Sequence, residues 1–210
     1  MRLKLLAQIF GGFIFLSCSG AADATTYYVR KDGGTLSQCT GLADASYPGS
    51  GTAQACAYNH PFWALPIKGN PSTFQGGDTL IISPGSYRMG YDAPNQKNPS
   101  SCASNYTWDC HMQPIPSGPD ANHPTRILGK GWDQGCSNPP QLYGVERAAL
   151  VINLRGSNNV DLQCLDITDH DSCTSGQVPG RCNREKFPYG EYADVGVVAS
   201  DSTNVLLKNL

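Results

Sequence analysis

Toward its C-terminal end the chain reads Asp166-Ile167-Thr168-Asp169-His170-Asp171, and Asp194 follows after a long polar stretch. Asp169, Asp171 and Asp194 carry the hard oxygen ligands that a cation such as Ca²⁺ takes. Arg155 brings a permanent positive charge able to neutralise a carboxylate, and together with His170 it is the candidate for a catalytic role. Asn153, Tyr189 and Tyr192 are the candidates for holding a substrate, the tyrosines through their flat aromatic faces, as Tyr106 and Trp108 also could. A plainer description fits the same residues. Asp favours solvated turns because it hydrogen-bonds locally, a loop histidine is commonly just exposed, and loop aromatics pin loops down.

These side chains need a scaffold, and its pattern lies in Ala149–Thr168, ALVINLRGSNNVDLQCLDIT. Three short apolar runs, Val-Ile-Asn-Leu, Val-Asp-Leu and Leu-Asp-Ile, are separated by small polar residues. Their alternation predicts strands. The stretch from Val151 to Leu165 also lies over Gly196 to Leu210, with Asn159-Val160 matching Asn204-Val205. With Asp169–Tyr192 set aside as an inserted loop, the repeat is close to twenty residues, the period of a solenoid. Each coil is then three short strands with tight corners, stacked in parallel on its neighbours. The two-residue period points Ile152, Leu154, Val160, Leu162, Leu165 and Ile167 inward. It points Asn153, Arg155, Asp161, Gln163 and Asp166 outward. Cys164 and Asn209 fall at the same corner.

Earlier in the chain, Thr26-Tyr27-Tyr28-Val29 reads as a strand, and Lys31–Pro61 as a stapled loop. Phe62–Ile67 reads as a short helical turn or edge segment, which Pro66 keeps short. Gly77-Asp78 turns into the strand Thr79–Ile82, and Pro84-Gly85 turns toward Tyr87. Gly90–Asn122, rich in Pro, Asn and Ser, reads as a long decorated loop. Thr125–Gly129 is another short strand, followed by a loop with Cys136. Asn105-Tyr106-Thr107 matches a glycosylation sequon, to which the bacterial-looking signal gives no meaning. Charged residues are 15% of the chain and the net charge is −2, so no clustered basic face calls for nucleic acid.

The first 24 residues read as an export signal, and residues 25–210 as one domain. Arg2 and Lys4 precede an apolar Leu5–Leu16, and Ala22-Asp23-Ala24 is an A-x-A cleavage pattern that starts the mature chain at Thr25. No transmembrane span is expected in that mature chain. The location is then secreted, extracellular or periplasmic. The alternative is a lipoprotein attached through Cys18. Of nine cysteines, Cys18 leaves with the signal. The remaining even number suits disulfides in an exported chain, and no C-x-x-C pair suggests zinc. Loop closure favours Cys39–Cys56, Cys102–Cys110 and Cys173–Cys182, which leaves Cys136–Cys164. Other connectivities stay open.

In fold-bearing pieces the chain resembles the pectate-lyase-like right-handed parallel β-helix proteins. The pieces are Tyr27-Tyr28-Val29, Gly77–Ile82 with Pro84-Gly85-Ser86-Tyr87, Pro124–Gly129 and Gly156–Val160. The resemblance implies an all-β solenoid with three short strands per coil and long disulfide-stapled loops. It also implies a polysaccharide or glycan as partner, acidic-polysaccharide cleavage as the leading activity and a monomeric protein. A lyase needs a cation, often Ca²⁺, or an Arg on the substrate carboxylate, and a Lys or Arg base, whereas a hydrolase needs paired carboxylates. In the family the cleft lies along the first-strand sheet, where Asn153 and Arg155 are expected. The family's successive carboxylates on stacked first strands are missing, because Val198 and Ser200 hold the next outward positions. A non-catalytic glycan-binding β-helix and a truncated, inactive fragment are the alternatives. Leu210 falls inside a coil, so the chain is expected to be incomplete at its C-terminus.

Overall fold

A computed structural model describes residues 24–65, 73–90, 93–94, 110–145, 148–169 and 193–210. Among these residues the regular structure is eleven β-strands and one 3-10 turn, Pro61–Trp63. The strands are β1 (Thr26–Gly34), β2 (Thr79–Ile82), β3 (Ser86–Gly90), β4 (Cys110–His111), β5 (Thr125–Gly129) and β6 (Gln141–Val145). They continue with β7 (Ala148–Asn153), β8 (Val160–Gln163), β9 (Asp166–Asp169), β10 (Ala193–Val198) and β11 (Val205–Lys208). They form three sheets, ordered β1-β2-β5-β8-β11, β3-β6-β9 and β10-β7-β4. Every pairing between these strands is parallel. From β2 onward the chain visits the first, second and third sheets in the same rotation three times, then returns to the first at β11.

Register follows from the two-residue side-chain period. In the first sheet Tyr27, Leu80, Ile127, Leu162 and Leu207 form one row, each the direct partner of the next. The first four are buried. Tyr87, Met89 and Leu142 from the second sheet and Ile152 from the third join them in one apolar cluster. Burying a Leu or Ile side chain contributes about 1.5–3 kcal/mol, so this shared interior is what holds three narrow sheets together. The offset read from the sequence holds, with Val160 opposite Val205 and Ile152 opposite Val197. Ile152, Leu154, Val160, Leu162 and Leu165 are buried as expected, and Ile167 is half-buried.

The corners explain the polar punctuation. Asn159 and Asn204 precede β8 and β11 with φ of 54° and 53°, and Cys164 and Asn209 follow those strands with φ of 58° and 55°. Asn tolerates this left-handed region better than most residues because its short amide bonds locally. Here the amides also bond along the stack. Asn204 Nδ2 donates to Asn159 Oδ1 at 2.8 Å, and Asn159 Nδ2 donates to the Gly118 carbonyl at 3.0 Å.

Two strands depart from the sequence reading. β6 falls in what reads as a loop around Cys136, and β4 falls inside the long Gly90–Asn122 loop. β1 also runs on to Gly34, past the strand end expected at Val29.

Candidate functional site

Asn153 was expected to face outward toward a substrate, and the structure corrects this. It is 6% exposed at the end of β7. Its Nδ2 donates to the Met112 carbonyl at 2.9 Å, and its Oδ1 accepts the Arg155 N–H at 3.0 Å. The physical reason is cover: the segment after β4 runs across this face, with the Ile115 N–H bonded to the Asn153 carbonyl at 3.0 Å. Gln163, also expected outside, is equally buried. Arg155 is exposed, as expected. Asp169 closes β9 opposite Gly144, a strand position rather than a loop one, and Asp194 lies in β10. His170, Asp171, Tyr189 and Tyr192 lie outside the described residues, as do Cys102, Cys173 and Cys182. Among the described residues, no three His, Cys, Asp or Glu side chains converge as a metal site.

A different site is built at the corner that follows the first sheet. Ser83 donates its N–H to the Val29 carbonyl and Lys130 donates its N–H to the Ile82 carbonyl, both at 2.8 Å. This stacks Arg30, Ser83 and Lys130 on three successive strands. They line an open cleft of about 500 Å³ with Lys31, Asp32 and Gln134. Arg30 forks onto Asp32, Nε to Oδ1 at 2.8 Å and Nη2 to Oδ2 at 2.9 Å, and its Nη1 reaches Asp44 at 3.3 Å. Lys130 Nζ donates to the other Asp44 oxygen at 2.6 Å. Lys31 Nζ donates to the Ser86 carbonyl at 3.0 Å and sits 5.0 Å from the centre of the Tyr87 ring.

The titration behaviour follows from these contacts. The hydrogen bond from Arg30 holds Asp32 below the usual carboxylate range, and Asp32 in turn raises the Arg30 guanidinium. Burial pushes Asp44 up, but the hydrogen bonds from Lys130 and Arg30 outweigh it and leave Asp44 lowered. Both carboxylates are therefore ionised at neutral pH, so neither is poised as a general acid. Three cations against two carboxylates leave the cleft with a surplus positive charge, which suits binding an anion rather than delivering a proton.

Both walls are stapled. Asp44 lies on the loop closed by Cys39–Cys56, with Cα atoms 5.1 Å apart. Gly131 and Gln134 lie just before Cys136, which bridges to Cys164 across 5.4 Å at the next corner of the stack. Cys39–Cys56 is one of the local pairings that loop closure favours, and Cys136–Cys164 is the pairing those local pairs left over. Sequence reasoning did not single out Arg30, Lys31 or Lys130. The available signal was a basic residue directly after an apolar run, at Val29-Arg30-Lys31 and Leu128-Gly129-Lys130, and it means something only once the strands are in register.

Comparison with protein families, curated proteins and solved structures finds no match for this chain.

Proposed function

We propose that this is an exported right-handed parallel β-helix protein that binds acidic polysaccharide in the Arg30–Lys130 cleft. The fixed rotation through three parallel sheets around one apolar interior supports the β-helix. Its right hand follows from the chirality of parallel crossovers. The two disulfides, and the absence among the described residues of a helix long and apolar enough to cross a membrane, are compatible with export. The observation that carries the function is the stacked cations. Neighbouring strands lie ~4.8 Å apart, so Arg30 and Lys130 are two such steps apart along the stack. An extended chain of uronate sugars laid along that axis meets a positive charge at each end of the cleft and the Ser83 hydroxyl between them. Asp32 and Asp44 hold Arg30 and Lys130 in place, and Lys31, which pairs with no carboxylate among the described residues, carries the surplus positive charge.

The glycan-binding reading is the alternative from the sequence, and the cleft supports it. The lyase chemistry implied by the resemblance draws on Arg155, His170 and Ca²⁺ at Asp169, Asp171 and Asp194; of these side chains Arg155 alone is described, and it is not among the described residues that line this cleft. One experiment separates the two. The purified protein is titrated with polygalacturonate, alginate and a neutral glucan, with and without Ca²⁺, while absorbance of unsaturated uronate is followed. Binding of the acidic polymers that weakens with salt, without new absorbance, is the expected result. Equal binding of the neutral glucan, or no binding, overturns the proposal. New absorbance that needs Ca²⁺ and is lost in Asp169→Ala with Asp171→Ala returns the lyase reading to first place.

A further inference from the structure

Asp78 is a carboxylate only 5% exposed, in the turn that leads into β2. Its Oδ2 accepts the Gln75 N–H at 2.7 Å and its Oδ1 accepts the Thr25 N–H at 2.8 Å. Among the described residues no side-chain cation pairs with it. Two basic residues that line a small cleft with the neighbouring Gly77 face other carboxylates: Arg126 Nε lies 3.4 Å from Asp161, and His123 Nδ1 lies 2.9 Å from Asp120. A buried carboxylate held by two neutral donors and no countercharge is costly, because burial strips it of water that two hydrogen bonds only partly replace.

The sequence places a countercharge at this atom. Ala22-Asp23-Ala24 is an export cleavage pattern, and a cut after Ala24 turns the Thr25 amide nitrogen into an α-ammonium. We infer that the chain is cut between Ala24 and Thr25, and that the new ammonium becomes the ion-pair partner of Asp78. The hydrolysis adds one water across the peptide bond, leaving a carboxylate on Ala24 and the ammonium on Thr25. Little has to move for the pair to form. The Thr79 N–H already donates to the Thr25 carbonyl at 2.9 Å, and Thr26 is already in register with Thr79. The nitrogen is therefore fixed in place by β1 joining β2. Ala24 is exposed and lines a small cleft of about 170 Å³ with Thr79, Asn122 and Arg126, so the bond to be cut lies at the surface. The cut exchanges one amide donor for a charged group with three, at a buried carboxylate that pairs with no side-chain cation among the described residues.

The inference uses the export reading for the cut and is independent of the glycan reading. Its test begins with the full chain expressed in an exporting host and the N-terminus of the exported protein mapped by intact mass and sequencing. Thr25 is expected. A start at lipidated Cys18, or anywhere else, overturns the inference. A second chain carries Gly-Ser inserted after Ala24, so that the cut leaves Thr25 as an ordinary amide. Its melting temperature is expected to fall by about 2–4 °C, the size of a roughly 1 kcal/mol change in a domain of this length. The same insertion with Asp78→Asn should produce no further fall. Because Asp78→Asn alone removes a buried acceptor and risks unfolding, cyanate carbamylation of the exported protein gives an independent readout. The Thr25 amine should react much more slowly in the native protein than in the denatured one. Equal melting temperatures with and without the insertion, or equal carbamylation rates, overturn the ion pair even when Thr25 is confirmed as the N-terminus.

Discussion

Leu162 and Leu207 occupy the same row of the first sheet, one strand apart, yet Leu162 is fully buried and Leu207 is 48% exposed. Around Leu162 the stack is covered on both sides, by β5 and by β11. The β1–β5 side adds ion pairs at Asp44 and a disulfide at Cys39–Cys56. Among the described strands β11 pairs on one side only, with β8, and Leu206 and Leu210 are exposed beside Leu207. The difference teaches that the two-residue period chooses the face of a strand, while burial needs a neighbour above as well as below.

Charge placed in that row should break or confirm the contrast most strongly. Leu162→Asp buries an unpaired charge and should cost more than about 4 kcal/mol, enough to unfold β8 and the strands paired with it. Leu207→Asp should cost less than about 1 kcal/mol. Urea denaturation of the two variants checks this, and similar losses would mean that the two ends of the row are equally covered.

The staples come next. Cys39→Ser with Cys56→Ser should cost about 3 kcal/mol, because it frees a closed loop in the unfolded chain. That loss belongs to the β1 side alone, so it should lower the stability of the whole chain without changing how Leu207→Asp behaves. Thermal melts of the double and triple variants read it.

A third contrast is in pH. His60 is buried on the β1 side, with Nδ1 accepting the Phe62 N–H at 3.1 Å and Nε2 donating to the Arg88 carbonyl at 2.9 Å. Burial lowers its pKa to about 4, against the smaller opposing pull of the Arg88 carbonyl. Since the folded pKa is depressed, the unfolded chain takes up the proton first. The stability is fully present above about pH 6.5 and is lost as pH falls toward 4, by up to about 3 kcal/mol. Urea unfolding between pH 7 and 4 should show the slope, and His60→Gln should flatten it.

Smallest in stability and most telling for function is Lys130→Ala. An exposed ion pair contributes about 0–1 kcal/mol, so the fold should be nearly unchanged. Binding of acidic polysaccharide should fall several-fold and become less salt-sensitive, as calorimetry at two ionic strengths would show. Arg155→Ala, on a corner outside the cleft, should leave that binding as it is.

The sequence made the repeat legible because it is written in side-chain alternation. Asn159-Val160 and Asn204-Val205 announce equivalent corners, and Thr125–Gly129 carries its strand in five residues bounded by Pro124 and Lys130. β6 was hidden because Gln-Leu-Tyr-Gly-Val breaks the alternation with a glycine, and β4 because two residues carry no period at all. The burial of Asn153 depends on Met112 and Ile115, which are far away in the chain and cross it as irregular backbone. The cleft was out of reach for a related reason. Arg30, Ser83 and Lys130 are neighbours only through inter-strand register, and each alone is an ordinary surface residue. The Asp169, His170 and Asp171 cluster drew attention by its composition, which is visible in one dimension, whereas the cleft exists only in three.

The Cys136–Cys164 bridge has a consequence in time as well as in space. The strands that pair in parallel here are never adjacent in sequence, so every pairing must be found by closing a long loop before any contact rewards it. This bridge ties the chain just beyond β5 to the first residue after β8, the pair that must align Thr125 with Val160. Once it forms, the search for that register becomes a local one, and β8 has a fixed template on which the next turn can be laid. Oxidation therefore acts as a pacemaker for assembly, and an oxidised chain should refold faster than a reduced one even under conditions where both reach the same final structure.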